Sequence, residues 1–175
     1  MLYFFFGFLL VFLDYPIELA YGGSLNLLPD FLGYGLLLLA GRRLQEENAH
    51  FRRLCLGACI AVCLSVAEFT LNLLPAMLPT AVTLIADIAV TLASLYISYE
   101  FTEGAKAFEK RRYQKMGADK LSTAWFILCM ASLLQFVMLY LPEVALPCIL
   151  LFLLAVVWFS SATLRFERML AKSRK

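Results

Sequence analysis

Six acidic residues, Asp14, Glu18, Asp30, Glu68, Asp87 and Glu143, stand in or beside apolar runs with no Lys or Arg among them. Glu68 and Asp87 flank a tip bounded by Pro75 and Pro79, and helical rise puts them about 9 and 12 Å from it. They can therefore face one another at nearly equal depth. An ionised Asp at the centre of a membrane helix costs about 2.5–3.5 kcal/mol. Such a residue points into a bundle, holds a proton or binds a cation. Asp87 also belongs to a stripe, since Thr80, Thr83, Asp87, Thr91, Ser94 and Ser98 recur at helical spacing on one face. Glu68 and Asn72 make a shorter polar face on the preceding run, and Ser132 and Gln135 can contribute from a later one. The candidate ion or proton site is therefore Asp87, Glu68, Asn72, Thr83 and Thr91. The ordinary role of the hydroxyls is to bond back to their own helix and let neighbours pack closely.

Other candidates are plainer. Cys55, Cys59 and Cys63 recur every four residues, a spacing that can present soft-metal or redox ligands. The expected role is packing, beside Gly57, Ala61 and Ser65 in a small-residue face, with no metal bound. Cys129 and Cys148 read as isolated packing residues, and His50, the one histidine, as a solvated loop residue. Pro29, Asp30 and Gly33 form a structural corner. Asp30 is expected to cap the helix that follows it, and Gly33 and Gly35 to admit a close backbone or a bend. The alternative for Asp30, with Asp14, is the lining of a vestibule for cations. No Gly-rich phosphate loop, His-Glu-x-x-His, Gly-x-Ser-x-Gly or Asp-rich diphosphate site is present. No enzyme and no cofactor is expected.

The elements that must position these residues follow from composition. The chain has 175 residues, 62% hydrophobic and 16% charged. Soluble domains run at about 45–50% and about 25%, so a soluble enzyme, a nucleic-acid binder and a disordered chain are poor readings. Mean hydropathy is +0.80. All 15 bases fall in three clusters, Arg42–Arg53, Lys106–Lys120 and Arg165–Lys175. Lys and Arg are retained on the cytoplasmic side, and such clusters also suit anionic lipid head groups. Between the clusters lie apolar runs 54–74 and 80–101, then 121–141 and 143–164, each pair broken by proline. Runs of 21–22 residues reach about 32–33 Å, enough to cross a core of about 30 Å.

The expected fold is an all-α polytopic bundle of six membrane segments in three hairpins, about 1–41, 54–101 and 121–164. Loops 42–53 and 102–120 and the tail 165–175 are cytoplasmic, as are both termini. The first hairpin is short or kinked. Its helix 1 is expected to run through Pro16 to about Tyr21 and helix 2 to begin near Leu25, with a re-entrant pair of half-length segments as the alternative. No cleavable signal peptide is expected, because no basic residue precedes the first apolar run. The sequence Leu25-Asn26-Leu27-Leu28-Pro29 returns as Leu71-Asn72-Leu73-Leu74-Pro75, with a weaker echo at Leu139–Pro142. Chance among Leu-rich helix ends explains this better than triplication into three stacked units. Segment 102–120 is expected to continue the preceding helix to near Gly117. Phe101, Ala105, Phe108, Arg112 and Tyr113 give it a one-sided face that can dock a partner or lie on a membrane. Asp119 is expected to cap the next helix.

The segment Asn26–Leu38, with Pro29-Asp30-Phe31-Leu32-Gly33-Tyr34, followed by Gly41-Arg42-Arg43-Leu44, resembles one found in uncharacterised small multi-pass membrane proteins of Gram-positive bacteria. It covers about 20 residues by count of those positions, and Gly35 stands where a bulkier apolar residue belongs. The resemblance implies a bacterial plasma-membrane location and a required Leu-Pro-Asp-Phe corner, and it implies no mechanism. The six-helix layout is also similar to substrate-binding subunits of vitamin transporters, although the first helix lacks their small-residue coupling face.

Two functions follow as expectations. The first is an accessory or scaffolding membrane subunit acting through helix packing, with a membrane-protein partner or another copy of the chain. The second is a small proton- or cation-linked transporter using Asp87 and Glu68. The bilayer itself is the remaining partner, and no nucleic acid is expected.

Overall fold

In a computed structural model the chain is all-α, apart from one short ribbon. The structure describes residues 2–13, 16–18, 24–26, 30–72, 80–113, 115–136 and 141–173; for 16–18, 24–26, 71–72, 80–81, 83 and 142 it describes the backbone. The helices are α1 (Tyr3–Phe12), α2 (Asp30–Arg42), α3 (Ala49–Asn72), α4 (Thr80–Arg112), α5 (Ala118–Gln135) and α6 (Ala145–Ser173). Each packs on the next, and α6 returns to α1, so the six close into a ring. Phenylalanines fill its middle. The Phe4 and Phe8 rings lie 4.6 and 5.2 Å from Phe101, and Phe8 lies 5.1 Å from Phe159.

Three helices are long and apolar enough to cross a membrane: Ala49–Thr70, Leu84–Arg112 and Ala145–Ser173. No more than 33% of the most apolar stretch of each is buried. Their outward faces carry exposed Leu56, Ile60, Ile85, Leu92, Leu150 and Leu154, which lipid accepts and water does not.

The first hairpin departs from expectation. Helix 1 does not run through Pro16. It ends at Phe12, and Pro16–Glu18 (β1) pairs antiparallel with Ser24–Asn26 (β2). Proline removes a helical hydrogen bond and clashes with the preceding turn, so the chain turns to extended backbone there. Helix 2 starts at Asp30 rather than near Leu25. The two helices have 10 and 13 residues, about 15 and 20 Å. They cross closely at two glycines: a Cβ on Gly33 would stand 2.7 Å from Val11 Cγ2 and 2.8 Å from the Gly7 carbonyl. Gly35 has no such role, because nothing lies within 4 Å of its Cβ position. The repeated Leu-Asn pair is strand at Leu25–Asn26 and helix at Leu71–Asn72, so these two repeats are not equivalent structural units.

At the other end the chain is tied by acids and amides. Asn48 Oδ1 accepts the His50 and Phe51 amides at 2.9 and 3.2 Å and starts α3. His50 is not a free loop residue, since its Nδ1 lies 2.7 Å from Oε2 of the buried Glu100. Segment 102–112 continues α4, giving a helix of 33 residues. Its apolar face is not presented to a partner: Phe101, Ala105 and Phe108 are buried inside the chain, while Tyr113 is exposed. Asp119 does not cap α5. Glu109 Oε2 accepts the Ala118 amide at 2.8 Å instead, after Gly117 turns the chain with φ +87°. The buried Glu167 reaches 163 residues back, taking the Phe4 and Phe5 amides at 3.1 and 3.4 Å. It thereby satisfies two orphan donors at the start of α1.

Candidate functional site

A cavity of about 510 Å³ is lined by residues of all six helices, three of which bring an acid to it. The C-terminal end of α1 contributes Val11, Phe12 and Leu13, and the start of α2 contributes Asp30 and Tyr34. Glu68 enters from α3, and Asp87, Val90, Thr91 and Ser94 from α4. Ser132 and Gln135 of α5 and Ile149, Phe152 and Leu153 of α6 complete the wall. The cavity is open, because Asp87, Ile149 and Leu153 on its wall are exposed. Asp30 and Tyr34 are buried and Glu68 is half-buried.

Glu68 and Asp87 line this wall from the two helices of the α3–α4 hairpin. Around the pair, the Tyr34 hydroxyl lies 3.5 Å from the Val90 carbonyl and interacts with Ser94. Three carboxyl residues therefore share one wall, and no Lys, Arg or His is among the described residues that line it. They do not converge on one small point, for no metal-holding group of three His, Cys, Asp or Glu occurs among the described residues.

Most sequence-selected residues meet here. Asp87, Glu68, Thr91, Ser94, Ser132 and Gln135 line the cavity, and Asp30 joins them as a wall residue at the start of α2. The Asn72 and Thr83 side chains, and Pro29 and Asp14, lie outside the described residues. The hydroxyls of the stripe bond to their own helix: Thr91 to the Asp87 carbonyl at 2.8 Å, Ser94 to Thr91 at 2.8 Å and Ser98 to Leu95 at 2.9 Å. Ser98 also accepts the Trp125 indole N–H at 3.1 Å, joining α5 to α4. Tyr34 carries a weaker signal in the sequence, a polar tip one helical turn after Asp30.

The cysteine row turns away from packing. Cys55 is buried, whereas Cys59 and Cys63 are exposed. Ala58, Ala61 and Ser65 do form the buried face, and Gly57 lies against Ile97 and Tyr96.

No protein-family model, curated protein or solved structure matches this chain.

Proposed function

We propose that the chain is a multi-pass plasma-membrane carrier that exchanges protons for a small cationic solute at Glu68 and Asp87. The observation that carries this reading is the open cavity of about 510 Å³ with Asp30, Glu68 and Asp87 in its wall. Sites for small molecules occupy about 300–1,000 Å³. Acids at membrane depth are stable when they hold a proton or a cation, so a cation entering this site displaces the proton between them. Tyr34, Ser94, Ser132 and Gln135 supply hydrogen-bonding groups, while Phe12 and Phe152 give an apolar surface for an organic body.

The proposed threading puts all three basic clusters and both termini in the cytoplasm. It has six membrane segments, with α1 and α2 as a half-length, re-entrant pair reaching the cavity near mid-depth. Irregular backbone at that depth is tolerated where protein or water covers it. Membrane carriers use the ends of such discontinuous helices to form their sites. Docking of a partner on the cytoplasmic end of α4 has less support, because the apolar face there is buried against the chain's own core.

The test uses purified protein in vesicles that contain a pH-reporting dye. Sodium, potassium, guanidinium, a primary alkylamine and a quaternary ammonium ion are applied in turn. At least one should drive proton movement in proportion to the protein present. Protein-independent traces for all five would overturn the reading.

A further inference from the structure

A second pocket, of about 260 Å³, lies between the start of α5 and residues 158–169 of α6, at the opposite end of the bundle from the cavity that holds Glu68 and Asp87. Its wall includes Gly117, Lys120, Trp158, Ser161 and Arg165 and contains no acid among the described residues. Lys120 and Arg165 are both exposed. The ion pairs among the described residues engage His50, Arg53, Lys106 and Arg112 and leave these two cations out. Asp119, beside Lys120 in sequence, is not in the wall. Two cations facing one pocket between helices suit a phosphate.

The neighbouring surface identifies what carries that phosphate. Leu150, Leu154 and Trp158 recur every four residues on α6 and are 53%, 70% and 50% exposed. Helical spacing puts Arg165 on the same face, about 10 Å beyond Trp158. An exposed apolar ridge thus runs directly into a basic pocket. The pocket has room for a phosphate and its glycerol root, and the acyl chains would lie along the ridge. We propose that this pocket binds one anionic glycerophospholipid of the cytoplasmic leaflet, its phosphate between Lys120 and Arg165. The site requires α6 to cross a bilayer and does not depend on solute carriage, so it stands or fails separately from the Glu68–Asp87 flux.

The test is native mass spectrometry of the detergent-solubilised full chain with three probes: phosphatidylglycerol, phosphatidylcholine of the same chains, and glycerol 3-phosphate. Lys120→Gln/Arg165→Gln removes the paired cations, and Arg52→Gln/Lys110→Gln removes equal charge elsewhere. All four residues are exposed, and melting curves should confirm that both variants fold. The wild type should retain one phosphatidylglycerol in preference to phosphatidylcholine. The Lys120/Arg165 variant should bind it about 30-fold more weakly, from about two surface-charge contributions, and the control variant should bind as the wild type does. Equal losses in the two variants, or no preference for the anionic lipid, would overturn the site. Glycerol 3-phosphate binding as tightly as the lipid would make it a soluble-anion pocket and overturn the lipid assignment. A Leu154→Gln variant should weaken lipid retention and leave any glycerol 3-phosphate signal unchanged.

Discussion

Glu68 of α3 and Asp87 of α4 stand in one wall of a cavity to which all six helices contribute. Both carboxyl groups therefore stand beside a space large enough for a solute.

The position of that space depends on how closely α1 approaches α2. Gly33→Ala would drive a methyl group into Val11 and the Gly7 carbonyl, where backbone atoms cannot yield. It should cost about 1–3 kcal/mol. Gly35→Ala meets nothing and should be neutral or stabilise by up to about 1 kcal/mol through helix propensity. Thermal unfolding in detergent separates the two, and equal effects would contradict the close crossing.

Glu167 holds the start of α1 against α6. Glu167→Ala should destabilise by about 1–3 kcal/mol, since it removes hydrogen bonds to a buried acid. Hydrogen exchange at the Phe4 and Phe5 amides should quicken more than exchange in α3. Unchanged protection at those two amides would contradict the cap.

The cysteines test the orientation of α3. In mild detergent, Cys59 and Cys63 should react with a small maleimide faster than the buried Cys55. Changing both exposed residues to Ala should alter stability by no more than about 0.5 kcal/mol. Faster labelling of Cys55, or loss of a bound metal in the variant, would contradict the assignment.

The threading predicts where single introduced cysteines are reached. Probes at positions 48, 114 and 172 should label only from the side that carries the basic clusters. Labelling of any of them from outside intact cells would overturn the proposed topology.

The helical hairpins and the acidic wall were legible in the sequence for physical reasons. Basic clusters and prolines punctuate apolar runs, and acids within such runs are too costly to be incidental. Helical spacing alone aligned Asp87 with Thr91 and Ser94 and matched the depth of Glu68. The rest depended on long-range partners. Nothing near Glu167 signals that it caps Phe4, and nothing near His50 points to Glu100. The Cys row misled because a four-residue step advances about 40° beyond a full turn. Starting from Cys55 at the edge of the buried face, the row rotates outward by Cys63. Helix 1 was expected to continue through Pro16 but ends at Phe12, and the β1–β2 ribbon lacked the length and alternation that identify strands.

The most direct test compares cation-driven proton flux in vesicles holding wild-type protein or Asp87→Asn at equal density. Asn preserves shape and hydrogen bonding but cannot take part in proton exchange. The account predicts coupled flux in the wild type, none in the variant, and a variant that folds at least as stably. Equal flux in the two proteins, or no flux in the wild type beside a variant that is merely more thermostable, would contradict it.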